Sequence, residues 1–93
     1  LPRVVERPHG ECVDAGEIVG VADRGSRLVM YMRDRQIISA ELEKACNPRD
    51  FYLGFYVERS PDGQLCVNRD RLMSRAGAKC RIADFHRLIA VAD

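Results

Sequence analysis

Apolar and polar positions alternate with period two along several stretches of the chain. The longest stretch is Phe51–Glu58, where Phe51, Leu53, Phe55 and Val57 alternate with Tyr52, Gly54, Tyr56 and Glu58. Side chains in a strand point to opposite faces in turn, so this rhythm predicts a strand with one buried face. Arg27–Met32 repeats it, with Leu28, Met30 and Met32 on one face and Val29 and Tyr31 on the other. Gln36–Leu42 follows after the polar break Arg33-Asp34-Arg35, and the two segments read as a hairpin. Ser60-Pro61-Asp62-Gly63 carries turn chemistry, Pro fixing φ and Gly accepting φ > 0. A second hairpin is therefore expected between Phe51–Glu58 and a short return strand, Gln64–Val67.

The remaining segments are weaker. Ala15–Ala22 carries Ile18, Val19 and Val21 and runs into the turn cluster Asp23-Arg24-Gly25-Ser26. One helical turn fits around Leu42–Cys46, before Asn47-Pro48 stops it. Asn68–Lys79 is polar and basic, with Gly77 as a turn. Cys80–Ile82 reads as extended and Asp84–Ala92 as a last strand. Residues 1–11, with two prolines and mixed charges, read as an irregular lead-in, which leaves 12–93 as a single β domain. The prediction is an all-β fold of five to seven short strands with little helix. The connections are too short for crossovers, so the sheet is mostly antiparallel, and a barrel-like or rolled shape closes its edges.

Composition narrows the class. In 93 residues, 46% are hydrophobic and 31% charged, which is too apolar for disorder. The net charge of +1 creates no global field toward nucleic acid or membrane. The longest apolar runs, Leu28–Met32 and Leu88–Ala92, are far too short for a transmembrane helix.

Four cysteines, Cys12, Cys46, Cys66 and Cys80, are spread widely, and no pair has the C-x2-C form of zinc ribbons or thioredoxin-like sites. A domain this small has a marginal core, and two structural disulfides are the expected reinforcement. They imply an oxidising compartment, periplasmic or secreted. The start at Leu1-Pro2, without initiator Met, matches a form whose signal peptide has been removed. Three connectivities are open. Cys12–Cys80 with Cys46–Cys66 is favoured, because it ties the ends together and clips the long hairpin across its base. Four buried free thiols in a cytosolic protein are the competing reading.

Together these elements resemble an uncharacterised family of small exported four-cysteine β domains from Gram-negative bacteria. The residues that carry the resemblance are Cys12 before Ile18, Cys46 after Leu42, Leu65-Cys66 with Asp70, and Cys80-Arg81-Ile82, between Cys12 and Leu88. It implies export and a compact β domain, and it implies no activity. Asn47-Pro48 departs from the small apolar turn expected after the second cysteine.

Candidate chemistry is sparse. Ser26, Ser39, Ser60 and Ser74 sit in no G-x-S-x-G elbow. A Cys–His nucleophile would need His9 with Cys12 or His86 with Cys80. His9, Cys12, Cys80 and His86 could form a zinc tetrahedron if the ends of the chain meet. The acidic residues are scattered, and no carboxylate pair stands out. No catalytic residue, metal site or cofactor is assigned.

Charge is concentrated in one place. Between Arg69 and Arg87 six cations face only Asp70 and Asp84. Arg69, Arg71, Arg75, Lys79 and Arg81 form a candidate anion-binding face, since guanidinium forks bind phosphate or carboxylate bidentately. The partner would be a lipid head-group surface or an acidic protein. In a cytosolic protein it would be nucleic acid, with Tyr52 and Tyr56 as stacking platforms. A solvated loop balanced by acidic neighbours explains the same charges. Tyr31, Tyr52 and Tyr56, if contiguous, would form an aromatic patch suited to a homodimer or partner site.

Overall fold

Strand alternation is carried through into the sheet. A computed structural model describes residues 3–51, 54–57 and 61–91. Nine strands are formed there: β1 Arg3–Pro8, β2 Cys12–Asp14, β3 Ile18–Arg24, β4 Arg27–Met32, β5 Ile37–Leu42, β6 Phe55–Val57, β7 Gln64–Cys66, β8 Arg71–Ser74 and β9 Lys79–Val91. Among the described residues there is no α-helix, only two 3-10 turns at Ala15–Glu17 and Pro48–Asp50. Every strand pair is antiparallel. The main sheet runs β3-β4-β5-β9-β8-β6, with β1 added along the far half of β9. It curls as a half-barrel, and Glu6 of β1 forms an ion pair with Arg27 of β4. β2 and β7 form a small second sheet.

The core lies on one face of the curl. Leu28, Met30 and Met32 of β4 meet Ile38, Ala40 and Leu42 of β5, then Ile82 and Phe85 of β9 and Leu72 of β8. Leu65 and Val13 of the small sheet, and Phe51, close it from the other side. Phe51, Phe85, Leu28 and Leu65 are essentially without solvent contact. Each such side chain contributes roughly 1.5–3 kcal/mol by leaving water.

Several expectations are corrected. The all-β antiparallel fold is as expected, with nine strands among the described residues where five to seven were expected. The lead-in is partly ordered, because Arg3–Pro8 pairs residue for residue with His86–Val91. Pro8 lies at the end of this strand, where a missing ladder donor costs little. The second hairpin is not formed as expected. β6 pairs with β8, and β7 pairs with β2. Phe51 is not in a strand but caps the 3-10 turn, its amide donating to the Pro48 carbonyl at 3.0 Å. Gly54, at φ +124°, turns the chain into β6. Tyr52, Leu53 and Glu58 of the expected strand lie outside the described residues.

Leu42–Cys46 holds no helical turn; the Cys46 amide closes a β-turn on the Glu43 carbonyl. Asn47-Pro48 begins the 3-10 turn instead, with the Asn47 side chain accepting from the Arg49 amide at 3.0 Å. Cys80–Ile82 and the last strand are one strand, β9, with a bulge opposite Glu41/Leu42.

The favoured cysteine pairing is also overturned. The bridges are Cys12–Cys66 and Cys46–Cys80. Cys12 stands directly opposite Cys66 in the β2–β7 ladder. Cys46 follows β5, and Cys80 lies at the start of β9, the strand next to β5. Sheet order and not sequence proximity therefore sets the pairing.

Candidate functional site

The cysteines are the first functional group to be settled. No described cysteine is free. His9 and Cys12 line one hollow of about 190 Å³. The Cys12 sulfur is nevertheless spent on Cys66, and the His9 ring lies edge-on to Phe85 with centroids 6.3 Å apart. His86 Nε2 lies 3.7 Å from Asp84 Oδ2. Neither Cys–His combination has a thiol to offer. The His9/Cys12/Cys80/His86 zinc tetrahedron is ruled out on the same ground, since Cys12 and Cys80 belong to different bridges. Glu43, Cys46 and Cys80 do bring ligand-type atoms within 4.8 Å of one another. There the two sulfurs are bonded to each other, and Glu43 Oε1 accepts from the Arg81 amide at 2.9 Å.

The basic segment divides in two. Arg69 is consumed internally. Its Nη1 and Nη2 donate to the two oxygens of Asp62 at 2.8 and 3.0 Å, and its Nε donates to Asp70 Oδ2 at 2.9 Å. Nη2 also reaches the Gln64 carbonyl at 3.0 Å. The hydrogen bonds to Asp62, and then those to Asp70, hold the guanidinium still further above its ordinary pKa. Asp70 is buried and also accepts the Cys66 amide at 2.8 Å. Arg69 is thus a structural clamp on the 61–70 turn and leaves the anion-binding set. Sequence reading missed Asp62 and Asp70 as its partners, although Asp62 stands in the expected turn and Asp70 in the Leu65-Cys66 motif.

The other four cations come together. In the register of β6, β8 and β9, Tyr56 is opposite Met73 and Met73 is opposite Lys79. Arg71 is opposite Arg81 in the next row. Leu72, Ser74, Cys80 and Ile82 alternate with these residues and are buried, so Tyr56, Met73, Lys79, Arg71 and Arg81 share the outward face. Arg75 opens the turn that joins β8 to β9, and its Nε lies 3.8 Å from the Cβ position of Gly54. The β8–β9 turn is closed by Gly77 at φ +93°, whose amide donates to the Ser74 carbonyl at 3.0 Å.

The aromatic patch is not contiguous among the described residues. Tyr31 is in β4 and Tyr56 in β6, with β5, β9 and β8 between them. Tyr52 lies outside the described residues. Tyr31 instead borders a hollow of about 110 Å³ on the sheet's second face, with Val4, Val29, Ile37, Leu88 and Ala90.

No family model, curated protein or solved structure matches the chain. No helix of the described residues is long and apolar enough to cross a membrane.

Proposed function

We propose that the chain is a non-enzymatic binding or structural domain of an oxidising compartment, periplasmic or secreted. The observation that carries this reading is the closure of both cysteine pairs as disulfides within a small all-β fold. Glutathione and thioredoxin systems keep cytosolic thiols reduced, so two structural bridges suit an exported protein. The non-enzymatic part is supported by what has become of the candidate nucleophiles. All four sulfurs are bonded in pairs, and both histidines have lost the thiol that each would have activated. The resemblance to exported four-cysteine domains points the same way.

The test is a thiol count on protein alkylated at once in its native compartment, denatured without reductant. The expected result is no alkylated cysteine before reduction and four after it. Alkylation of unreduced protein would overturn the compartment. A hydrolytic or transfer activity that survives complete purification would overturn the non-enzymatic reading.

A further inference from the structure

We propose that the hollow on the second face of the main sheet binds a small apolar carboxylate, a branched or aromatic acid whose body fills the hollow and whose charge meets Arg24. The inference rests on the binding-domain reading above, and it names a ligand class for that domain. The floor of the hollow is a row of directly opposed residues, Tyr31 of β4, Ile37 of β5 and Leu88 of β9. Val29 and Ala90, each two residues along its strand from that row, extend it on the same face. Val4 of β1 stands opposite Ala90 and walls one side. Glu6 of β1 reaches Arg27 of β4 over β5 and β9, so the sheet folds over this face.

The hollow differs from an ordinary solvated sheet face in two ways. Val29 is 3% exposed although it lies on the face opposite Leu28 and Met30, so this side of the sheet encloses space. Val4 and Tyr31 are 57% and 41% exposed and border the same hollow. Apolar surface is therefore left in water at a place that is already concave, the usual form of a small-molecule site.

Arg24 decides the charge of the ligand. Six of the seven lining residues are uncharged, and Arg24 is the seventh. It stands directly opposite Arg27 in the β3–β4 ladder. Arg27 is paired with Glu6, whereas Arg24 has no carboxylate partner among the described residues. Asp23, its chain neighbour, is on the other face and lies 3.9 Å from Arg49. Glu41 and Asp84 are in the same row but beyond Arg27, on β5 and β9. The cation left over is thus the one at the apolar hollow, and a guanidinium fork donates to a carboxylate bidentately.

Size sets the rest. The hollow is about 110 Å³ and open to solvent. A closed cavity of about 150 Å³ takes benzene, so a body of roughly four to six carbons fits here with its carboxylate at the rim. A full acyl chain is too large.

The experiment is a titration of the oxidised protein with isocaproate, followed by the methyl NMR signals of Val29, Ile37 and Leu88. Isocaproamide keeps the body and loses the charge, and acetate keeps the charge and loses the body. The acid should shift the three residues together and to saturation, with each control binding roughly tenfold or more weakly. Arg24→Gln should weaken the acid roughly tenfold, the loss of one charge-assisted contact at an exposed rim. Arg7→Gln removes the same charge from an exposed position on the other face of β1 and should bind as the parent does.

No saturable shift of these signals overturns the proposal. So does equal affinity for the acid and the amide, or an equal loss in the two variants. Movement of the same signals on dilution, without ligand, would give the hollow to a second copy of the chain and overturn it too. Binding of a leucine-terminated peptide but not of the free acid overturns it in favour of a chain terminus. Intact disulfides with no binding would remove only this proposal. Free thiols in native protein would remove the compartment while leaving the titration to stand by itself.

Discussion

The Cys66 amide donates to Asp70 Oδ2 at 2.8 Å, so one end of the Cys12–Cys66 bridge is held from behind by a buried carboxylate. The same oxygen receives Arg69 Nε. One acidic side chain therefore fixes the small sheet, the following turn and the clamp arginine together. Asp70→Asn keeps the volume and removes the charge. It should cost about 1–3 kcal/mol, the range for a buried polar group that loses a charged partner. Thermal unfolding would show this as a fall in Tm of several degrees, and Asp70→Ala should fall further.

Arg69 gives a prediction in pH. Its pKa is raised in the folded state, chiefly by Asp62 and then by Asp70. A group raised in this way contributes stability that is fully present below its unfolded pKa. That contribution is lost only as pH climbs through the folded value. Arginine titrates beyond the range in which the fold is studied. The difference in Tm between the parent and Arg69→Gln should therefore stay constant from neutral pH to about pH 10. A difference that shrinks within that window would mean that the clamp is not carried by the guanidinium charge.

The two bridges close loops of similar reach, with sequence separations of 54 and 34 residues. Loop-closure entropy assigns each about 4 kcal/mol. Cys12→Ser/Cys66→Ser and Cys46→Ser/Cys80→Ser should thus lose nearly equal stability in urea unfolding. Their local effects should differ. Without the first bridge, the three residue pairs of β2–β7 have little to hold them, and amide exchange should rise at 12–14 and 64–66. Peptide mapping of unreduced protein should recover Cys12 linked to Cys66 and Cys46 linked to Cys80.

Phe51 lies outside the sheet yet is completely buried. Phe51→Ala should cost about 3–5 kcal/mol in chemical denaturation, as for other fully buried phenylalanines. Tyr56→Ala, at an exposed position, should stay within about 0.5 kcal/mol. Similar losses at the two sites would mean that Phe51 does not plug the core.

The sequence could be read where the alternation is local and regular. Leu28, Met30 and Met32 of β4 display the core directly, even though Val29 on the other face is buried as well. Phe51–Glu58 shows the same rhythm for a different reason. Phe51 is apolar because it plugs the core from a 3-10 turn, and Phe55 and Val57 are apolar because they line a strand after Gly54 has redirected the chain. Period two cannot distinguish these cases. β8 was hidden because its alternation is short and its outward residues, Arg71 and Met73, differ in polarity. The cysteine pairing depends on β9 lying beside β5, a tertiary fact with no local signature. Arg69 and Arg75 look alike in sequence. Only the spatial approach of Asp62 and Asp70 makes one a clamp and leaves the other on the face.

β9 pairs with β5, β8 and β1, and Cys80 near its start completes the second bridge. Of the described strands it is the last in chain order. Until it emerges, β1 and β8 have no neighbour along β9, Cys46 has no partner, and the apolar face of the β3-β4-β5 meander stays uncovered. Closure then requires pairings that span nearly the whole chain, from Arg3 to Val91. Such high contact order makes folding slow. The strand that orders the sheet is thus the strand that brings Cys80 to Cys46, so the register of β9 and the second covalent bridge are fixed by one and the same event.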